Sequence, residues 1–245
     1  MRTDIAPQQR LIVALDVDSH AEALRLVSDL GNDVSFYKVG LQLFMAGGLT
    51  IVKRIVEQGK KVFLDLKIDD TPRTVEEAVR NSAIDGVELF TLQGNAATAR
   101  AAIAGRGQRS LPKFLQVTYL SSWDGSDLLE HLNIDPGADK PSIDDRVVNR
   151  ARRVIDSGCD GVIASGTSVS RLRREFPKLL IVTPGIRLSG GSSDDHKRSM
   201  TPFEAIGAGA DYLVVGRPIR SSDDPKAIVH KIQQQIEQAL RSKAA

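Results

Sequence analysis

Eight short apolar runs recur along this chain, and after each one the pattern changes from continuous to helical spacing. Residues 11–15 (Leu-Ile-Val-Ala-Leu) form the first run, which ends at Asp16. A helix is predicted over 19–30, where Ala23, Leu26, Val27 and Leu30 share a face and Ser19 with Glu22 has the spacing of a capping box. The second run is 35–39, followed by a helix that carries Ile51, Ile55 and Val56 and stops at Gly59. The third run is mixed: Val62-Phe63-Leu64, then Asp65-Leu66-Lys67-Ile68, with a helix over 72–84 beyond it. Runs at 87–91 and 112–120 come next, separated by an Ala-rich helix over 95–104.

Residues 121–143 break the rhythm, being polar and irregular, with one short helix expected around 127–131. Val147, Val148, Ala151, Val154 and Ile155 then mark a helix that ends at Ser157. Strand six is expected over 161–164, a helix over 169–176, strand seven over 179–183 and a turn at 184–187. Residues 188–200, rich in Gly, Ser and charge, read as a mobile surface loop. A helix from Pro202 to Gly209, strand eight over 212–216 and a last helix over 225–240 complete the chain.

Strands that are apolar throughout are buried on both faces, the mark of a parallel sheet covered by helices. Eight strand–helix units, with no linker or change of composition, predict an α/β fold: a single-domain (β/α)8 TIM barrel over residues 1–245. The competing architecture is a doubly wound open sheet. It is disfavoured because no glycine fingerprint follows the first strand, and eight units exceed what that fold usually needs.

Composition narrows the function more than the fold. With 41% hydrophobic and 26% charged residues the chain fits an ordinary soluble protein. A net charge of +2, with acidic and basic residues interspersed, argues against a nucleic-acid surface. The one cysteine, Cys159, cannot form an intrachain disulfide and reads as a partly buried small residue in a reducing compartment. No apolar run approaches the ~20 residues of a membrane span, and the first ten residues lack a signal core. The expectation is a cytoplasmic protein that binds neither nucleic acid nor membrane.

Ionic residues gather where the strands end. In a barrel the chemistry sits at the C-terminal ends of the strands, and Asp16, Lys38, Asp65, Lys67, Ser121, Arg187 and Arg217 all fall there. Each alone would pass for a solvated loop residue or a rim ion pair. Asp65, Lys67 and Asp70 are harder to dismiss, because three ionisable groups crowd one buried strand end. Asp65 and Lys67 are two apart, so in a regular strand they point to the same side. Adding Lys38 gives two positive and two negative charges, an array in which pairing can keep all four ionised. Strand eight ends in Val215-Gly216-Arg217-Pro218, which offers backbone N–H groups and a guanidinium to an anion. The last two loops of such barrels commonly take phosphate. With Arg187 and a 188–200 loop able to close and exclude water, this predicts a phosphorylated small-molecule substrate.

Taken together, these segments resemble the orotidine 5'-phosphate decarboxylases of the bacterial type. The resemblance is carried by Leu15-Asp16, by Lys38-Val39-Gly40, and by Asp65-Leu66-Lys67 with Asp70, Pro72, Thr74 and Val75. It continues through Val117-Thr118, Leu120-Ser121-Ser122, Thr183-Pro184-Gly185-Ile186-Arg187, Lys197-Arg198, Met200-Thr201-Pro202 and Val214-Val215-Gly216-Arg217-Pro218-Ile219. It implies conversion of orotidine 5'-monophosphate to uridine 5'-monophosphate and carbon dioxide, the last step of de novo pyrimidine nucleotide synthesis. It also implies that no metal or organic cofactor is used, and that the enzyme is a homodimer with sites at the subunit interface.

Carried over by the same resemblance, Lys67 would protonate C6 of the pyrimidine and Asp65 would lie beside the substrate carboxylate. Asp16 and Lys38 would hold the ribose hydroxyls, with Lys38 also ordering the charged array. Asp70 and Thr74 would reach into the partner's site, and Ser121 would touch the pyrimidine edge. Arg187, the Gly216 backbone and Arg217 would bind the phosphate.

The chain also departs from the family pattern. Where the family usually has His-Asp-Ile-Pro-Asn, this chain has Asp69-Asp70-Thr71-Pro72-Arg73. Asp69 is expected to add negative charge near the array, and Thr71 to remove an apolar side chain from the pocket beside the interface. His196 replaces the usual Gln of the closing loop; an imidazole can donate to phosphate but lacks the amide's paired donor and acceptor. Two rivals share parts of the pattern. One is a sister decarboxylase of a β-keto sugar phosphate, with Mg²⁺ on the acidic residues; the other is a barrel that only binds a phosphorylated ligand.

Overall fold

The computed structural model describes residues 4–135, 142–188 and 199–244, so His196, Lys197 and Arg198 of the expected closing loop lie outside the described residues. The strands are β1 (Leu11–Ala14), β2 (Phe36–Gly40), β3 (Lys61–Ile68), β4 (Val87–Leu92), β5 (Lys113–Val117), β6 (Gly161–Ile163), β7 (Leu180–Thr183) and β8 (Tyr212–Val215). Each pairs in parallel with its sequence neighbours, and β8 returns to β1, closing a barrel. That closure rules out the open doubly wound sheet.

Side-chain alternation along the strands sorts residues into two cores. Ile12, Ala14, Phe36, Phe63, Leu89, Leu115, Leu180, Val182 and Val214 fill the inside of the barrel. The other parity, including Leu11, Val13, Tyr37, Val39, Val62, Leu64 and Phe90, packs outward against the helices. Continuing the inward parity toward the strand C-termini brings Lys38, Asp65 and Thr91 to the mouth. Cys159 belongs to the outer core, as expected, and burial pushes its thiol up to about 11.

The surrounding helices are α1 (His20–Leu30), α2 (Leu41–Gly47), α3 (Leu49–Val56), α4 (Pro72–Ser82), α5 (Ala96–Arg106) and α6 (Gly125–His131). They continue as α7 (Ile143–Asp156), α8 (Ser168–Glu175), α9 (Pro202–Ala208), α10 (Arg217–Arg220) and α11 (Pro225–Ala244). Most agree with the periodicity to within a residue or two. The helix expected to run to Gly59 is instead two, α2 and α3, because Gly48 at φ +60° breaks it in a left-handed conformation that favours glycine. The strand expected over 112–120 ends at Val117, which frees Tyr119 to Ser122 to leave the sheet and line the mouth.

Two further features were not legible from periodicity. The one-turn α10 follows β8 directly, with Gly216 at its N-cap. Residues 184–187, expected as a turn, place Ile186 in a parallel bridge to Met200, and Arg187 N–H donates to the Met200 carbonyl at 2.9 Å. The two ends of the intervening segment are thereby pinned together beside the mouth. Among the described residues no helix is long and apolar enough to cross a membrane.

Candidate active site

A cavity of about 480 Å³ opens at the C-terminal end of the barrel. Asp16 reaches it from beyond β1, Lys38 from β2, Asp65 and Lys67 from β3, and Ser121 from beyond β5. Arg187 arrives from beyond β7, and Gly216 and Arg217 from the end of β8. Tyr119, Ser122 and Arg220 also line the cavity, and the sequence had given them no role. Arg220 had a signal that went unused: it lies three residues after Arg217, one turn on if the segment is helical.

Within one chain the array is Asp16–Lys38–Asp65–Lys67. Lys38 Nζ donates to Asp16 Oδ1 at 2.7 Å and lies 3.6 Å from Asp65 Oδ2, while Lys67 Nζ donates to Asp65 Oδ1 at 2.8 Å. Gly40 makes room for this: a Cβ there would sit 2.7 Å from Lys38 Nζ and 2.9 Å from Asp16 Oδ1. Burial alone would push the Asp65 carboxyl up. The Lys38 and Lys67 ammonium groups, with hydrogen bonds from Lys67 and Thr91, outweigh it and hold Asp65 below the usual carboxylate range. Lys38 is almost wholly buried, whereas the Lys67 side chain keeps 38% of its surface open toward the cavity.

Asp65 and Lys67 meet as anticipated, though not through a regular strand. Leu64 pairs with Phe90 and Ile68 with Leu92, so three residues of β3 stand opposite Thr91 alone on β4. Lys67 sits at φ +50°, a left-handed conformation that costs a residue with a Cβ about 1–2 kcal/mol. The bulge re-aims the side chain, as bulges near functional sites often do. Thr91 bridges the irregularity: its hydroxyl accepts from Lys67 N–H at 2.9 Å and donates to Asp65 Oδ1 at 3.0 Å.

Asp70 and Thr74 stand apart from this cavity in the single chain. Both are exposed at the start of α4, where Asp70 Oδ1 accepts from Thr71 N–H at 2.6 Å and the Thr71 and Thr74 hydroxyls lie 3.0 Å apart. Asp69 also differs from expectation. Its carboxylate accepts from Thr98 Oγ1 at 3.2 Å, in the capping box of α5, so its charge is directed to that helix end rather than to the array. At the opposite wall, Arg187 Nη1 donates to the Ile186 carbonyl at 2.8 Å, which fixes the guanidinium beside Gly185 and the end of β7. Among the described residues, no group of three or more His, Cys, Asp or Glu is placed to hold a metal ion.

A family model described as "Orotidine 5'-phosphate decarboxylase / HUMPS family" matches residues 9–232. The chain belongs to this family. Orotidine 5'-phosphate decarboxylase of Nitrobacter winogradskyi is 45% identical over 240 residues, covering 98% of this chain and 97% of its own. That of Bradyrhizobium diazoefficiens is 43% identical over 238 residues, covering 97% and 98%. The crystal structure of orotidine 5'-phosphate decarboxylase from Lactobacillus acidophilus matches with a TM-score of 0.79 at 34% identity, over 93% of this chain and 99% of that one.

Proposed function

We propose that the chain decarboxylates orotidine 5'-monophosphate to uridine 5'-monophosphate and carbon dioxide, without a metal or organic cofactor, as a homodimer. The observation that carries the reading is Lys67 Nζ, 2.8 Å from Asp65 and open to a cavity bounded across the barrel by Arg187 and Arg217. One end of that cavity suits a phosphate, and the other presents a fixed ammonium to a reacting carbon.

Breaking the bond from C6 to the carboxylate leaves an electron pair in an in-plane orbital that the pyrimidine ring cannot delocalise. A preorganised positive charge beside C6 stabilises that pair, and the Lys67 ammonium then donates the proton that forms the C6–H bond. Asp65 stays ionised next to the substrate carboxylate, and the repulsion is relieved as neutral carbon dioxide departs. Asp16 and Lys38 hold the ribose hydroxyls, and Ser121 meets the pyrimidine edge. Arg187, Arg217 and the Gly216 backbone bind the phosphate, joined by His196 from the closing loop. Binding energy at the phosphate is thereby used to hold the base against the array.

The partner subunit supplies Asp70 and Thr74. Their exposure at the start of α4 supports this, as do Leu41 and Met45, which stand 60% and 77% exposed on α2 directly after the C-terminal end of β2. Mixing Lys67→Ala with Asp70→Ala subunits tests the arrangement. Random pairing restores about a quarter of wild-type turnover if Asp70 acts across the interface, and none if each chain is self-sufficient.

The reaction itself is tested by the fall in orotidine monophosphate absorbance with purified protein after exhaustive EDTA treatment. Undiminished turnover is expected. Turnover that needs added Mg²⁺, or that occurs only with a β-keto sugar phosphate, would transfer the chain to the sister activity; binding without turnover would leave a phosphate-ligand protein.

A further inference from the structure

Thr91 is fully buried on β4, and no sequence pattern marked it. It is the only β4 residue opposite Asp65, Leu66 and Lys67. A bulge of three residues against one leaves ladder groups without their regular partners. Here a side chain takes the place of the missing backbone: Lys67 N–H donates to Thr91 Oγ1 at 2.9 Å. That contact settles where the hydroxyl hydrogen goes. A backbone N–H can only donate, so the Thr91 oxygen accepts there, and its own hydrogen points at Asp65 Oδ1, 3.0 Å away, which can only accept. The same Oδ1 also receives Lys67 Nζ at 2.8 Å. The result is a closed ring, running from the Lys67 backbone through Thr91 and Asp65 to the Lys67 ammonium.

We propose that Thr91 is a positioning residue that holds the Asp65 carboxylate and the Lys67 ammonium in register across the β3 bulge. The inference rests on the roles given to that pair above. Thr91 acts through both: its acceptor side fixes the left-handed turn at Lys67, and its donor side fixes the rotation of the carboxylate on which the ammonium rests. A valine fills the same space but offers neither hydrogen bond, so the bulge keeps its packing and loses its clamp.

Thr91→Val, Thr91→Ser and wild type are compared for kcat, KM, pH profile and thermal stability. In Thr91→Val, kcat is expected to fall roughly 10- to 100-fold while KM changes far less, because the phosphate and ribose contacts are untouched. The acid limb of its kcat/KM profile moves to higher pH, since the carboxylate loses a donor that favours its ionised form. Thr91→Ser, which keeps the hydroxyl, regains most of kcat and the wild-type acid limb. A ¹³C NMR titration of the Asp65 carboxyl in unliganded protein is expected to show the same upward shift in Thr91→Val.

Wild-type kcat with an unshifted Asp65 titration in Thr91→Val would overturn the proposal. So would an equal loss of kcat in Thr91→Ser that follows thermal stability alone. If the wild-type protein does not turn over orotidine monophosphate, the proposed function fails, and the Asp65 titration still decides whether Thr91 holds the carboxylate. Should Thr91→Val not fold, Thr91→Ala carries the same readouts.

Discussion

At the N-terminal end of the barrel, Asp211 is fully buried and accepts from Arg173 Nη2 at 2.6 Å and from Ile181 N–H at 3.0 Å, while Arg10 donates to its carbonyl at 3.0 Å. At the C-terminal end, Asp65 is held between Lys67 at 2.8 Å, Lys38 at 3.6 Å and the Thr91 hydroxyl. Both clusters gather two cations around one aspartate, at the lower end one on its carboxylate and one on its carbonyl, yet they differ in two further respects. The lower cations are arginines, which keep their protons under all ordinary conditions and bind through rigid forks. The upper cations are lysines, whose compact ammonium groups can release a proton. The lower cluster is packed shut, with the Arg173 side chain 12% exposed, whereas Lys67 is 38% exposed into a cavity. On the proposed function, buried charge serves as a staple at one end and as a reagent at the other, and access decides which.

The sharpest way to break that contrast is to remove one cation from the reagent end. Lys67→Ala is expected to lower kcat by roughly 10⁴-fold or more, through loss of both the transition-state charge and the proton donor. The variant should still fold, because Lys38 and the Thr91 hydroxyl remain as partners of the Asp65 carboxylate. Near-normal turnover in purified Lys67→Ala would remove Lys67 as the proton donor. The opposite profile is expected at the staple. Asp211→Ala leaves the Arg173 guanidinium and the Ile181 N–H without their carboxylate and should cost about 3–5 kcal/mol in denaturant unfolding, with kcat in the surviving folded protein unchanged. A kcat that fell in step with stability would show the two ends to be coupled.

A smaller effect is expected at the phosphate wall. Arg217→Ala should raise KM for the phosphorylated substrate about 10- to 100-fold, the range for one lost hydrogen bond to a charged group. An unchanged KM would take Arg217 out of the phosphate site. The smallest effect concerns acid stability. Asp65 is held below its ordinary range, so it contributes stability that is fully present above about pH 4 and is lost as pH falls through its folded value. Asp65→Asn should flatten that part of the acid unfolding curve. A curve with the same slope in wild type and Asp65→Asn would mean that other carboxylates govern it.

The two ends also differ in how far they could be read beforehand. Asp16, Lys38, Asp65, Lys67, Arg187 and Arg217 are polar residues that abruptly end apolar runs, and a strand end in a barrel has one destination, the mouth. Arg10 and Asp211 stand just before strands, where the same rule sends them to the other end, but nothing in their spacing joins them to Arg173. Asp69 was assigned to the array from its position in the chain. Its partner, Thr98, lies 29 residues away and is visible only once α5 is packed beside the end of β3.

Hydrophobic periodicity by itself determined the eight strands, the helices between them and the parallel order that closes the barrel, because those depend on which face of each local segment avoids water. It also placed the charged residues at the mouth. Only the tertiary structure decided how Asp65 and Lys67 come to face each other. Three residues of β3 against Thr91 of β4 is a relation between strands, and a hydroxyl that replaces a ladder bond leaves no trace in the spacing of either strand. Local pattern selects which side of a strand is wet, whereas the register and the side chains that repair its breaks are fixed by the neighbouring strand.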